Sequence, residues 1–361
     1  MIKSITQIQH LQRFASQHLR MPDVGIIGGY HGGNLGDIAL GESVRQLLLK
    51  KNVRGGLQTI YNLEKWPKTE FAIVGGGAVG YVDSLRRVAL RYKGDFGKVA
   101  LLGVDFNERN YPEDCVELIK GAAYVSCRSE QQSIKLKEIS GREDISYHPD
   151  IAFSLYPEFC LKQRSRLESR KKVLINVVPL YGSIIKDKVV PIEDYRKERP
   201  ELYENFEQMQ LSYQSFVRNI VTKAIENNYI VATIPFTNED EEYSRIIFKG
   251  LPVEHYKYHS NPQRMFKTMA EADHVVATRY HATIFALKLG LKLTPIAYAT
   301  KNELLLQELG INRKEFLSTG DLASGINNIE TTYVQMKTDI LDWENRSTWA
   351  IETCINSLGI A

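Results

Sequence analysis

A chain of 361 residues, 43% hydrophobic and 25% charged, with a mean hydropathy of −0.28, is globular and too long for one ordinary core, so two domains are expected. A formal net charge of +3 lacks the basic stripe or domain of a nucleic-acid-binding surface, and no apolar stretch reaches the roughly 18–20 residues of a membrane span. The four cysteines, Cys115, Cys127, Cys160 and Cys354, form no CxxC pair, which argues against a zinc site or disulfide framework and fits a reducing cytoplasm.

The N-terminal "MIKSITQIQHLQRFASQHLR" has apolar residues at helical spacing but no uninterrupted apolar core of a signal peptide. Short β-branched runs then alternate with helical patterns. Strands are expected at "VGIIGG" (24–29), "LQTIY" (57–61), "FAIVGG" (71–76), "VALLGV" (99–104) and "AAYVSC" (122–127), with a helix over "DIALGESVRQLLLKK" (37–51). The charged stretch "CLKQRSRLESRKK" (160–172) has no apolar face and reads as a linker or a solvated helix end. A second series follows, with strands at 173–178, 229–235, 274–278 and 291–298, a helix at 212–228, and a loop with a short helix over "GSIIKDKVVPIEDYRKERPELYENFEQ". The alternation predicts two Rossmann-like α/β domains, 1–165 and 166–335, whose parallel sheets face a central cleft; a final helix, 336–361, is expected to pack back on the first domain.

Four stretches carry chemistry. In "GIIGGYHGGNLGDIAL", Gly32, Gly33 and Gly36 let the backbone approach a ligand at a helix start, with Asn34 and Asp37 in the same turn. Asp37 also reads as a simple N-cap. "FAIVGGGAVGYVD" repeats the pattern with Gly75, Gly76 and Gly77, and Asp83 reads first as a solvated loop acid. "SCRSEQQS" puts Arg128 at a strand's carboxyl end, where it suits a carboxylate, a phosphate or a salt bridge. In "ADHVVATRYHATIFALKLG" a buried strand runs into a helix closed by Gly290, with Arg279 and His281 in the turn between them and Lys301 after the next strand. Three cations on one sheet edge around a helix N-terminus predict an anion site. No residue set supplies metal-ligand spacing, so no catalytic metal is expected. Nineteen tyrosines allow a sugar-lined cleft, although packing explains most tyrosines.

Taken in order, "GYHGGNLGD", "VGGGAVGYVD", "CRSEQQS", "HPDIAFSL" and "TRYHATIFALKLGLKLTPIAYATK" resemble the polysaccharide pyruvyl transferase family over roughly residues 24–302. Ser129 stands where the family usually has an acid. The resemblance implies a GT-B-like fold and transfer of a pyruvyl group from phosphoenolpyruvate to two hydroxyls of a hexose in a surface-polysaccharide precursor, forming a cyclic ketal and releasing phosphate. It implies a phosphoenolpyruvate site of Arg128, Arg279, His281 and Lys301, with His281 as acid for the leaving phosphate. The acceptor side would comprise Gly33, Asn34, Asp37, Gly76, Gly77 and Asp83, with Asp37 the first choice of base and Asp83 the second. No cofactor is implied, and a saccharide acceptor, lipid-linked or not, would place the enzyme in the cytoplasm or at the inner face of the cytoplasmic membrane as a peripheral protein. The alternatives are a GT-B glycosyltransferase using a nucleotide sugar and a non-catalytic anion- or sugar-binding protein.

Overall fold

The computed structural model describes residues 22–77, 79–106, 108, 110–158, 171–197, 200–326 and 340–360. The N-terminal helical pattern, Cys160 and most of the 160–172 stretch lie outside the described residues. The chain divides into two compact units: Met1–Tyr156 with Asp339–Ala361, and Pro157–Thr338.

Unit 1 is built on β1 (Val24–Gly28), β2 (Gly55–Thr59), β3 (Phe71–Gly77), β4 (Val99–Val104), β5 (Tyr124–Cys127) and β6 (Ser146–Tyr147). They form one parallel sheet in the order β2-β1-β3-β4-β5-β6. The runs "VGIIG" and "VALLGV" are apolar without alternation because both faces of these strands are buried. The chain order reverses between β1 and β3, so the connections leaving their carboxyl ends go to opposite sides and open a crevice there. The helix Ile340–Ser357 packs on this unit: Trp343 meets Phe153 with ring centroids 5.2 Å apart, and the Ser347 hydroxyl donates to the Asp150 carbonyl at 3.0 Å.

Unit 2 repeats the plan. Its strands β7 (Lys172–Asn176), β10 (Ile230–Thr233), β11 (Glu254–His255), β12 (His274–Ala277), β13 (Lys292–Ala297) and β14 (Leu317–Ser318) are parallel in the order β11-β10-β7-β12-β13-β14. Here the order reverses between β7 and β12. The helix Tyr280–Lys288, which leaves β12, is buried along its whole length. Phe285 anchors it, stacked on Phe266 at 4.1 Å and edge-on to Phe236 at 5.6 Å. A Schellman motif ends it: Leu291 N–H donates to the Ala286 carbonyl and Gly290 N–H to that of Leu287, with Gly290 at φ 61°.

The segment expected as a loop with a short helix instead begins with a hairpin, β8 (Gly182–Ile185) and β9 (Lys188–Pro191). Lys186 and Asp187 at φ 50° and 62° make the two-residue turn that right-twisted antiparallel strands favour. Ile184, Ile185, Val189 and Val190 were the strand signal, masked by a Lys-Asp turn without glycine.

The buried His148 and the half-buried His274 are held neutral. His148 Nδ1–H donates to the Pro149 carbonyl at 2.7 Å, which leaves Nε2 to accept from Ser126 Oγ at 2.8 Å; burial pushes its pKa down to about 4. Burial, with Lys292 nearby, also lowers His274 to about 4, and its Nε2 lies 2.8 Å from Thr294 Oγ1. Both folded values lie below the ordinary 6.5, so the unfolded chain binds more protons between them. Stability is therefore fully present above pH 6.5 and falls toward pH 4, by about 2 kcal/mol per histidine at pH 5. Urea unfolding at pH 7.5 and pH 5 measures this fall; equal midpoints would contradict neutral burial.

Candidate functional site

In unit 2 the site is organised from the end of β7. Asn176, fully buried, is the one polar residue ending an apolar strand. Its Oδ1 accepts from Arg279 N–H at 2.7 Å and its Nδ2 donates to the Ile234 carbonyl at 3.0 Å, so one amide fixes the carboxyl ends of β7, β10 and β12 together. Arg279 is the N-cap residue of the helix Tyr280–Lys288 rather than a mid-turn residue. Its Nε contacts both Asp240 oxygens at 3.2 and 3.1 Å, and its Nη2 donates to Asp240 Oδ1 at 2.6 Å and to Thr237 Oγ1 at 3.3 Å. Burial works against the guanidinium charge, but the Asp240 carboxylate outweighs it, and the arginine is held well above its ordinary pKa.

Asp240 is itself overdetermined. It closes the capping box of the helix Asn238–Ile247 with Thr237, and its Oδ2 accepts from the N–H groups of Phe236 and Thr237 at 3.0 and 3.2 Å. "TNED" reads as a helix start, which it is; that its aspartate also grips an arginine from another strand is a tertiary fact that spacing does not reveal. The adjacent Glu239 is half-buried; burial raises its pKa, while Arg279 pulls the other way.

His281 belongs to the first turn of the helix, not the βα turn. It is only 7% exposed, and its ring lies edge-on to Tyr280 at 5.2 Å. Lys301 is exposed at the start of the helix Thr300–Glu308, and its ammonium lies 5.6 Å from the centre of the Tyr280 ring. Asn302 ties the two helix starts together by donating to the Thr278 carbonyl at 3.3 Å. The structure thus gathers Arg279, His281 and Lys301 on one sheet edge at the β7/β12 reversal. Neither helix start is closed by a side-chain hydrogen bond at its N-cap residue, Arg279 or Ala299. Helix N-termini without side-chain caps, with a lysine and an arginine beside them, are chemically suited to an anion.

Arg128 belongs to unit 1, where all three guanidinium nitrogens are engaged. Nε donates to Asp105 Oδ1 at 2.9 Å, Nη2 pairs with Asp105 Oδ2, and Nη1 donates to Asp150 Oδ2 at 2.7 Å. Asp150 comes from "HPDIAFSL", the motif whose role the sequence leaves open. Ser129 caps the helix Glu130–Ser140 by accepting from Gln132 N–H.

The glycine-rich turns of unit 1 converge on Asp37. Asn34, not Asp37, caps the helix Leu35–Lys50, accepting from Gly36 N–H at 3.0 Å, and Asp37 is half-buried in its first turn. A Cβ at Gly29 would lie 3.5 Å from both Asp37 Oδ2 and the Tyr61 hydroxyl; one at Gly77 would lie 3.5 Å from Asp37 Oδ1. Gly76 and Gly77 hold φ of 75° and 89°, and a side chain at Gly76 would strike Leu40 at 2.5 Å, so only glycine fits there. Gly33 sits in the same turn as Asn34, whereas Asp83 is exposed in the first turn of the helix Val82–Arg91. Tyr30 lies beneath, its buried hydroxyl donating to the Gly75 carbonyl at 2.6 Å; burial and the Asp37 charge raise its pKa. Among the described residues no group of three or more His, Cys, Asp or Glu is placed to hold a metal ion, and no helix is long and apolar enough to cross a membrane.

Two parallel-sheet α/β units, each with one reversal of strand order, have the GT-B fold class. Solved structures bear out the fold. The UDP-N-acetylglucosamine 2-epimerase of Rickettsia bellii matches with a TM-score of 0.51 at 10% identity over 94% of this chain and 96% of its own. A UDP-GlcNAc 2-epimerase from Neisseria meningitidis, bound to UDP-GlcNAc, gives 0.50 at 9% identity over 92% and 99%, and the S. aureus MnaA–UDP structure gives 0.50 at 7% over 94% and 98%. No curated protein sequence matches. The family model described as polysaccharide pyruvyl transferase matches residues 34–300, and the chain belongs to that family.

Asp240→Asn would leave Arg279 half-buried with its main counter-charge removed. Loss of a buried partner predicts destabilisation by about 3 kcal/mol or more. A thermal or urea melt resolved for unit 2 checks this, and an unchanged midpoint would show that the pair does not hold the site.

Proposed function

We propose that the protein transfers a pyruvyl group from phosphoenolpyruvate onto a hexose of a surface-polysaccharide precursor, forming a cyclic ketal and releasing phosphate. The observation that carries this reading is the pair of helix N-termini without side-chain caps at the β7/β12 edge, flanked by Arg279, His281 and Lys301. Family membership supports pyruvyl transfer as the reaction class. Phosphoenolpyruvate carries a carboxylate and a phosphate, and helix N–H groups with a lysine suit the phosphate.

The steps balance as follows. A proton adds to the terminal methylene carbon of the donor, and a sugar hydroxyl bonds to its central carbon, losing its proton. The bond from that carbon to the bridging oxygen then breaks, and the oxygen leaves with phosphate, which takes a proton from His281. A second hydroxyl closes the ketal and gives up its proton. Arg279, oriented by Asp240, positions the donor, and Lys301 offsets the charge that grows on the leaving group. Asp37 is the proposed base for the acceptor hydroxyl, ahead of the exposed Asp83. Gly33, Asn34, Gly76 and Gly77 shape the backbone around it. Arg128 acts through the frame it builds with Asp105 and Asp150, and any donor contact it makes shares the guanidinium with them. No step calls for a metal or redox cofactor, in contrast to phosphoryl transfer. The acceptor is proposed to be a saccharide, free or lipid-linked, met in the cytoplasm or at the inner membrane face.

A nucleotide-sugar transferase is the second reading, because similar folds have been solved with UDP or UDP-GlcNAc and a diphosphate also suits helix N-termini. Thermal shift separates the two: phosphoenolpyruvate should raise the melting temperature and UDP and GDP should not, and the reverse pattern would sink the pyruvyl reading. His281→Asn should lower the rate of acceptor-dependent phosphate release by about 10²–10⁴-fold, the usual loss of a general acid. A variant within a few-fold of wild type would remove His281 from the chemistry.

A further inference from the structure

The cations of unit 2 have very different partners. Arg279 is tied to Asp240 through Nε and Nη2, so much of its charge is offset within the protein. Lys301 is the contrast. Among the described residues it pairs with no carboxylate, and its ammonium lies over the Tyr280 ring, 5.6 Å from the ring centre. The difference decides what each cation can offer an anion. A carboxylate beside a lysine fixes the ammonium but cancels its charge toward an incoming anion. An aromatic face fixes it through the ring quadrupole and leaves the positive charge in place. Lysine is a flexible side chain, and holding its head beforehand reduces the freedom it loses when a ligand binds. Tyr280 is itself fixed: it is buried in the first turn of the helix Tyr280–Lys288, and its ring lies edge-on to His281 at 5.2 Å. One ring therefore borders both the lysine and the histidine.

The backbone of Lys301 is held from a second direction. The helix Thr300–Glu308 starts from Ala299, whose carbonyl accepts from Asn302 N–H at 2.9 Å. The residue before it, Tyr298, has its own carbonyl engaged by the Tyr181 hydroxyl, which donates at 2.7 Å. Tyr181 lies in the loop after β7 and Tyr298 follows β13, so this bond joins the loops on either side of β12. Tyr181 holds φ of 53°, a left-handed conformation that is unfavourable for a bulky residue and persists only where the surroundings impose it. Its carbonyl accepts from Ile192 N–H at 3.0 Å and from the Tyr203 hydroxyl at 3.2 Å, and these bonds impose it here.

We propose that Tyr280 and Tyr181 are positioning residues of the candidate anion site in unit 2: the Tyr280 ring holds the Lys301 ammonium with its charge uncancelled, and the Tyr181 hydroxyl fixes the turn from which Lys301 projects. This inference deepens the pyruvyl-transfer reading and rests on it for its ligand, a donor that carries a phosphate. Neither tyrosine makes or breaks a bond. Both act through Lys301.

The test uses the full chain, with phosphoenolpyruvate and inorganic phosphate as probes and Kd read by titration calorimetry. Tyr280→Leu should weaken both Kd values about three- to fivefold, and Tyr280→Phe, which keeps the ring, should stay within about twofold. Tyr181→Phe removes one hydroxyl and should weaken them about three- to tenfold. Each substitution is repeated in a Lys301→Met background, where it should change nothing, because no ammonium is left to position. A merely structural role would weaken binding equally with and without the lysine, and that additive result overturns the proposal. Tyr280 is buried, so a second readout leaves it unchanged. With lysines labelled with ¹³C at Cε, the Lys301 signal, assigned by its loss in Lys301→Arg, should be shifted upfield by the ring and should move when phosphate is added. A signal at the free-lysine position overturns the aromatic hold. If phosphate binds with the expected coupling and phosphoenolpyruvate does not bind, the pyruvyl-transfer reading fails and the positioning of Lys301 stands. Binding of neither probe overturns both.

Discussion

The grip of Asp240 on Arg279 is the interaction around which unit 2 is arranged. It joins the helix that follows β10 to the helix that follows β12, across the strand between them, and it does so at the point where strand order reverses. A buried carboxylate is costly unless paired and hydrogen-bonded, and Asp240 meets that condition with the guanidinium and two backbone N–H groups. The guanidinium in turn is fixed at a helix N-terminus that has no side-chain cap. Asn176 completes the frame from beneath. Remove the pair and the candidate anion site loses the contact that positions Arg279.

Unit 1 uses the same device with a different outcome. Arg128 also sits just past a strand end and is also held by aspartates, but two of them grip all three of its nitrogens. What unit 1 places at its order reversal is a half-buried carboxylate among glycines, with Tyr61 nearby. The two edges are therefore chemically opposite, one cationic and built from helix N-termini, the other acidic and aromatic. That contrast supports the proposal that the donor anion belongs to unit 2 and the acceptor to unit 1.

Much of the fold was legible, and the reasons are local. Buried parallel strands are continuous apolar runs, so β1, β3, β4, β7 and β12 announce themselves within a residue or two. The short outer strands β6, β11 and β14 are two residues each and leave no periodicity to read. The β8–β9 hairpin was hidden by an unusual turn pair. At the site, "RYH" and Lys301 were legible as cations on one edge, because residues that follow adjacent parallel strands must lie together. Their charge balance was not. Sequence spacing leaves Arg128 open between a ligand and a salt bridge and counts Arg279 as an anion-binding charge, whereas three aspartates from distant segments pair with the two arginines. Asp37 shows the converse: the obvious helix-cap reading fails because Asn34 does the capping, and Asp37 lies in the first turn beside Gly29 and Gly77.

Cleavage chemistry distinguishes pyruvyl transfer from every phosphoryl or glycosyl alternative on the same fold. Phosphoenolpyruvate labelled with ¹⁸O at the bridging position, incubated with the enzyme and a panel of hexosides, should yield phosphate that carries the label, with the hexoside gaining the mass of one pyruvic acid less water. Unlabelled phosphate, or labelled phosphate with no mass gain on any saccharide, would contradict ketal formation at this site.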